Sequence, residues 1–102
     1  MLELRPNCEL CDKDLPPEST EACICTYECT FCVKCAEEVL HNVCPNCGGG
    51  FAHRPYRPAI EHRKGVSLQH QPASNKRVLT KFTKEEIADF VAEVRHIPPN
   101  ER

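Results

Sequence analysis

Nine cysteines lie between positions 8 and 47 of this 102-residue chain, and eight of them fall at recurring short gaps. They run Cys8-x2-Cys11-x13-Cys25-x3-Cys29-x2-Cys32-x2-Cys35-x8-Cys44-x2-Cys47, with Cys23 left over. A two-residue gap lets both sulfurs of a knuckle reach one ion at roughly 2.3 Å, the Zn–S bond length. Packing gives no reason for such gaps to recur between thiols. Four thiolates around Zn²⁺ make a closed tetrahedral site with no position for a substrate. The chemistry expected is therefore structural, with two Zn²⁺ per chain and four cysteines on each. Spacing leaves the sharing of ligands open. Sequential pairing sets Cys8, Cys11, Cys25 and Cys29 against the last four. Interleaved pairing sets Cys8, Cys11, Cys32 and Cys35 against Cys25, Cys29, Cys44 and Cys47, and stitches the chain across itself.

Disulfides are the competing reading. The opening Met1-Leu-Glu-Leu-Arg-Pro lacks the basic region and apolar run of a secretory signal. No stretch approaches the roughly 18 apolar residues of a membrane helix. The expectation is a cytoplasmic protein with no membrane association, in a compartment where close cysteines serve as metal ligands. An odd count also cannot pair completely within one chain. Cys23, on the same strand face as Cys25, reads as a small buried hydrophobe or a spare thiol. His41 and His53 lie near ligands, but eight thiols already saturate two ions, so both are expected at supporting or surface positions.

The surrounding chain must hold these sulfurs with little core. It has no tryptophan, one methionine and four phenylalanines, a composition that calls for a staple. Three regions are expected, with a short tail: a cysteine module over 1–53, a basic, proline-containing connector over 54–82, an amphipathic helix within 83–97, and a tail over 98–102. In the module, Glu21–Cys25 and Thr30–Val33 are β-prone and suit a small hairpin. Lys34–His41 suits two helical turns with Val39 and Leu40 inward, and Asp12–Ser19 reads as loop. Gly48-Gly49-Gly50 is read as a turn. Thr83 and Glu86 form a capping box, Ile87, Phe90, Val91 and Val94 recur at helical spacing, and Pro98-Pro99 stops the run. A helix this short is marginal alone. Its stripe needs the module, a second copy of the chain, or another protein.

The order and gaps of the ligands resemble a RING finger, whose metal pairs interleave in a cross-brace. Leu10 inside the first pair, Phe31 before the fifth ligand and Cys44-Pro-Asn-Cys47 agree with that likeness, with Cys29 at the position most often histidine. The resemblance implies the interleaved ligand sets and a small zinc-stabilised α+β fold with a short β-hairpin, a short helix and the C-terminal amphipathic helix. A denser resemblance covers about residues 1–58. Leu-Glu-Leu-Arg-Pro-Asn-Cys8, Asp-Lys-Asp-Leu-Pro-Pro at 12–17, Glu-Cys29-Thr-Phe-Cys32 and Cys44-Pro-Asn-Cys-Gly-Gly-Gly-Phe51 are similar to a small cysteine-rich bacterial family, domain of unknown function 1272. That likeness implies a bacterial cytoplasmic protein and supplies no activity.

Catalysis is not expected. There is no Ser/His/Asp set, phosphate-binding glycine loop or His-Glu-x-x-His signature. Ubiquitin-ligase activity, which the RING likeness raises, is not expected either: Gly48 follows the last ligand where a basic side chain is usual, and bacteria generally lack the partner enzymes. A protein-interaction adaptor is the leading reading, with Leu10, Pro45, Ile87, Phe90, Val91 and Val94 as its apolar surface and a homodimer through the helix as one form. The net charge of −2 hides an asymmetry that bears on the alternatives. Residues 1–53 carry three basic against nine acidic side chains, and the connector seven basic against Glu61 alone. The module repels phosphates, so nucleic-acid binding would use the connector: Arg54, Arg57, Arg63, Lys64, Lys76, Arg77 and Lys81. A metal or redox sensor, with Cys23 as its thiol, is the remaining reading.

Overall fold

Strand β1 (Ala22–Ile24) and strand β2 (Thr30–Cys32) form the expected hairpin, with Ala22 opposite Cys32 and Ile24 opposite Thr30. The loop between them is closed by the Cys25 N–H donating to the Cys29 carbonyl (3.2 Å) and by Glu28 in the left-handed region (φ 68°). A third strand, β3 (Ala52–His53), pairs antiparallel with the other edge of β1 and completes a sheet of order β2-β1-β3. β3 was not expected from the sequence. It is two residues long and follows three glycines, too little for a period-2 pattern to register. The computed structural model describes residues 1–102.

The Cys8–Cys11 and Cys44–Cys47 knuckles share one backbone construction. In each, the residue after the second cysteine is left-handed and donates back to the carbonyl of the first: Asp12 to Cys8 (2.9 Å, φ 64°) and Gly48 to Cys44 (2.7 Å, φ 81°). In each, the first cysteine's N–H donates to the carbonyl one residue further on, Lys13 or Gly49, at 2.8 Å. The third pair, Cys32–Cys35, leads into a π-helical turn at Cys35–Val39, shorter than the two helical turns expected over Lys34–His41. The Leu40 N–H reaches the Cys35 carbonyl at 2.8 Å. This wider turn buries Leu40 completely but leaves Val39 half-exposed rather than inward.

Helix α1 (Lys84–Val94) starts at the capping box, with the Glu86 N–H donating to Thr83 Oγ1 (3.2 Å) and the Thr83 N–H to Glu86 Oε1 (2.9 Å). Its stripe packs on its own module. Ile87 and Val91 are 3% exposed and belong to the single core of thirteen buried residues; Phe90 and Val94 flank it. Six of those thirteen are cysteines, so the apolar material alone is thin and the thiols occupy its middle. Beyond α1, a 3₁₀ turn (Pro99–Glu101) brings Arg102 over the last knuckle, where Nη1 donates to the Asn42 carbonyl (2.7 Å) and the Gly48 carbonyl (3.2 Å).

The connector holds no regular element longer than a bridge, yet it is tied to the module. Thr80 N–H donates to the Glu9 carbonyl (2.8 Å) and Ser74 N–H to the Leu4 carbonyl (3.0 Å). Asn7 and Val78 exchange a reciprocal pair of hydrogen bonds, side chain against main chain (2.9 and 3.2 Å). Arg77 pairs with Asp12 (2.9 Å) and Asp14 (2.6 Å), so the opposite charges of the two regions meet. Arg54, grouped by sequence with the connector's solvent-facing cations, is 1% exposed. Its guanidinium donates to the carbonyls of Arg5 (2.8 Å), Leu15 (3.1 Å) and Pro16 (2.9 Å). That correction has a simple cause. Arg54 directly follows β3, its N–H pairs with the Ala22 carbonyl (2.9 Å), and the sheet carries its side chain inward.

Candidate metal centres

The fold gathers the cysteines into two clusters. Cys8, Cys11, Cys32 and Cys35 lie with their sulfurs all within 4.8 Å of one another, and so do Cys25, Cys44 and Cys47. The grouping is interleaved: the first cluster joins the first knuckle to the end of β2, and the second joins the hairpin loop to the last knuckle. Sequential pairing does not occur. Cys29 stands outside the tight group of the second cluster, and the neighbouring Cys44 and Cys25 thiols help to hold its pKa down. Cys23 belongs to neither.

The donor sets fit metal ions. Around an ion bound at roughly 2.3 Å, the edge of a sulfur tetrahedron is about 3.8 Å, and Cys11 Sγ lies 3.8 Å from Cys32 Sγ. Backbone N–H groups are aimed at sulfur on both sides: Cys11 at Cys8 (3.5 Å), Cys35 at Cys32 (3.5 Å), Tyr27 at Cys25 (3.3 Å) and Gly49 at Cys47 (3.4 Å). Such donors favour thiolate over thiol. Without a cation, crowding works the other way. Burial foremost pushes the Cys8, Cys25 and Cys35 thiols up, and Cys44 is raised chiefly by sharing its proton with Cys29, which is correspondingly lowered. Four thiolates packed this closely need a central positive charge.

Residues around the second cluster extend the site. The Glu9 carboxylate is 2% exposed and accepts from the Thr30 N–H (2.6 Å) and Arg5 Nη1 (2.8 Å). Burial outweighs these partners and raises its pKa. Asn46, between the last two ligands, lines a cleft with Arg5, Glu9 and Cys29, and its amide and the Arg5 charge both favour the Cys29 thiolate. Sequence reasoning missed Arg5, Glu9 and Asn46. For Asn46 the available signal was its position inside the last knuckle, whereas Glu9 lies inside the first knuckle but faces Cys29 and Asn46 of the second site, which only the fold reveals.

The expected interaction residues are brought together on one side of the module. Pro45 lines a small cleft with Phe82, Ile87 and Phe90, and Leu10 lines a neighbouring one with Val39, Ile87 and Ala88. Helix α1 therefore lies across Leu10 and Pro45, and Phe90 reaches Gly48, where a Cβ would stand 3.4 Å from its ring. Separately, Cys23, Glu37, His41 and His53 line an open cavity of about 390 Å³.

Two clustered thiol sites stitched across a three-stranded sheet define a small cysteine-rich α+β protein able to hold two metal ions. The chain belongs to the family described as protein of unknown function (DUF1272), whose model matches residues 1–57. That span holds all nine cysteines and the whole sheet, and ends before most of the connector. An uncharacterized protein of Rhizobium meliloti (strain 1021) is 58% identical over 79 residues, covering 78% of this chain and 87% of that protein. No solved structure matches the chain. No helix is long and apolar enough to cross a membrane.

Proposed function

We propose that the protein is a zinc-stabilised binding module with a RING-like cross-brace, whose two metal ions are structural and whose work is protein interaction, not catalysis. The observation that carries this reading is the interleaved pair of thiol clusters. Each offers sulfur donors, backbone N–H support and no vacant ligand position once the fourth cysteine closes. Tetrahedral all-sulfur sites select Zn²⁺ over hard cations. Cys29 completes the second set by moving in toward Cys44 and Cys25.

The interaction surface in this reading is the outer side of α1, since the helix itself covers Leu10 and Pro45. Because Ile87 and Val91 are buried against the module, a partner meets the helix from outside or displaces it. Nucleic-acid binding through the connector is disfavoured, since Arg54, Arg57 and Arg77 are engaged within the chain. The deciding experiment is native mass spectrometry of protein purified without added metal. Two zinc ions per chain, lost together with folding on chelation, are expected. No zinc, with mass missing in steps of two hydrogens, would mean disulfides and would end the reading.

A further inference from the structure

Cys23, the thiol that neither cluster uses, does not stand alone. It sits opposite His53 in the β1–β3 register, and such directly opposed residues hold their Cβ atoms about 4.5–5.5 Å apart. Both line the open cavity of about 390 Å³ that Glu37 and His41 also line, beside Val33, Ala36 and Phe51. One thiol, two imidazoles and a carboxylate thus share one concave surface.

The His53 ring is already oriented. Its Nε2 lies 3.2 Å from the Thr20 carbonyl oxygen. A carbonyl only accepts, so Nε2 is the donor, and the tautomer that makes this bond leaves Nδ1 as the nitrogen open to a metal ion. This is how metal-binding histidines are held, with the second ring nitrogen donating to a carbonyl. The Tyr56 ring, 5.4 Å away edge-on, steadies the same imidazole.

We propose that Cys23, His53, Glu37 and His41 form a third metal site, which takes an exchangeable borderline-soft divalent cation such as Zn²⁺. A mixed sulfur, nitrogen and oxygen set suits such ions. Cys23 and His53 are fixed on strands, whereas Glu37, exposed within the π-turn, and His41, exposed just beyond it, close by rotating. The donors stand wider apart than the 4.8 Å that bounds the two clusters, and two exposed side chains must be ordered. Binding is accordingly weaker than in the clusters, and the open cavity lets the ion exchange with solvent. The site shares no ligand with either cluster, so it does not rest on their being occupied by zinc.

The test uses full-length protein, stripped by a mild chelator to its tightly held ions and then titrated with Co²⁺. Native mass spectrometry counts the ions, and absorption reads thiolate-to-cobalt charge transfer. Wild type is expected to bind one ion beyond the tightly held complement, with a charge-transfer band. Cys23→Ser should lose that ion and band while keeping the tight complement, and His53→Ala should weaken it about 10–100-fold. A wild type that takes no extra ion overturns the site, as does a Cys23→Ser protein that still binds it. Should Cys23→Ser fail to keep the tight ions, Glu37→Gln combined with His41→Asn decides, both side chains being exposed: unchanged affinity for the extra ion overturns the proposal. Failure of the two-cluster reading would appear separately, as a tight complement other than two.

Discussion

Replacing Arg54 with methionine tests the way the connector is joined to the module. The guanidinium is 1% exposed and is lowered in pKa by burial, with no carboxylate to offset it. Its three carbonyl partners lie in two separate segments, at Arg5 and at Leu15-Pro16. Hydrogen bonds from a charged donor contribute about 1.5–3 kcal/mol each, so three amount to about 4–9 kcal/mol gross. Removing the buried charge returns several kcal/mol of desolvation. The net loss expected for Arg54→Met is about 2–4 kcal/mol, a large share of the 5–15 kcal/mol of a typical domain. The assay is urea unfolding followed by far-ultraviolet circular dichroism at fixed free zinc, since bound metal otherwise shifts the apparent stability. With a slope of about 1–3 kcal/mol per molar for a small domain, the midpoint should fall by about 1 M or more. Arg54→Lys keeps the charge but not the fork, and should lie between. A methionine variant within about 0.5 kcal/mol of wild type, the range of ordinary surface changes, would refute the clamp and return Arg54 to the solvent-facing cations.

Ile87→Ala should cost about 2–4 kcal/mol, as for other buried isoleucines, and loosen α1 while leaving two zinc ions bound; loss of zinc would show that the helix supports the clusters. Gly48→Ala places a Cβ in a left-handed residue 3.4 Å from the Phe90 ring and should cost about 1–2 kcal/mol, read in the same urea assay, with no change meaning that the last knuckle is more compliant than its geometry implies. Thr83→Ala removes the acceptor for the Glu86 N–H and should cost about 1 kcal/mol, visible as reduced helical signal. The pH dependence follows from the raised thiols. Cys8, Cys25, Cys35 and Cys44 stand above the ordinary thiol value in the metal-free fold and hold protons at neutral pH. Zinc must displace those protons, so its affinity rises as pH rises and falls in acid. Calorimetry in buffers of differing ionisation enthalpy should show protons released on binding, and zero release would refute this account.

The features that could be read from the sequence are those decided by neighbours along the chain. A knuckle depends on two cysteines two residues apart, and the capping box on Thr83 and Glu86; both formed where their spacing placed them. The hairpin was likewise visible in short β-prone runs, since its loop is only five residues from Cys25 to Cys29. The interleaved order of ligands was different in kind. Spacing left it open, and a family resemblance suggested it. The structure shows why interleaving wins: β2 hydrogen-bonds β1 and also receives the Glu9 N–H at the Thr30 carbonyl (2.9 Å). That contact holds the Cys8 knuckle beside Cys32.

What escaped the sequence was where long-range surfaces meet. A stripe of Ile87, Phe90, Val91 and Val94 states that a cover is needed, not what supplies it, and Leu10 and Pro45 made the complementary statement from the other side. The sequence left open whether the stripe met the module, a second copy or another protein; in the fold the two sets are halves of one core. Arg54 escaped for a related reason. Charge in a proline-containing connector reads as solvated, and only β3, too short to be seen, turns that side chain inward to three carbonyls. A chain with so few large apolar residues cannot leave either half uncovered. The same scarcity that called for metal also calls for the helix to fold back. The outer side of α1, rather than its apolar stripe, is thus the face open to a partner while the helix stays docked.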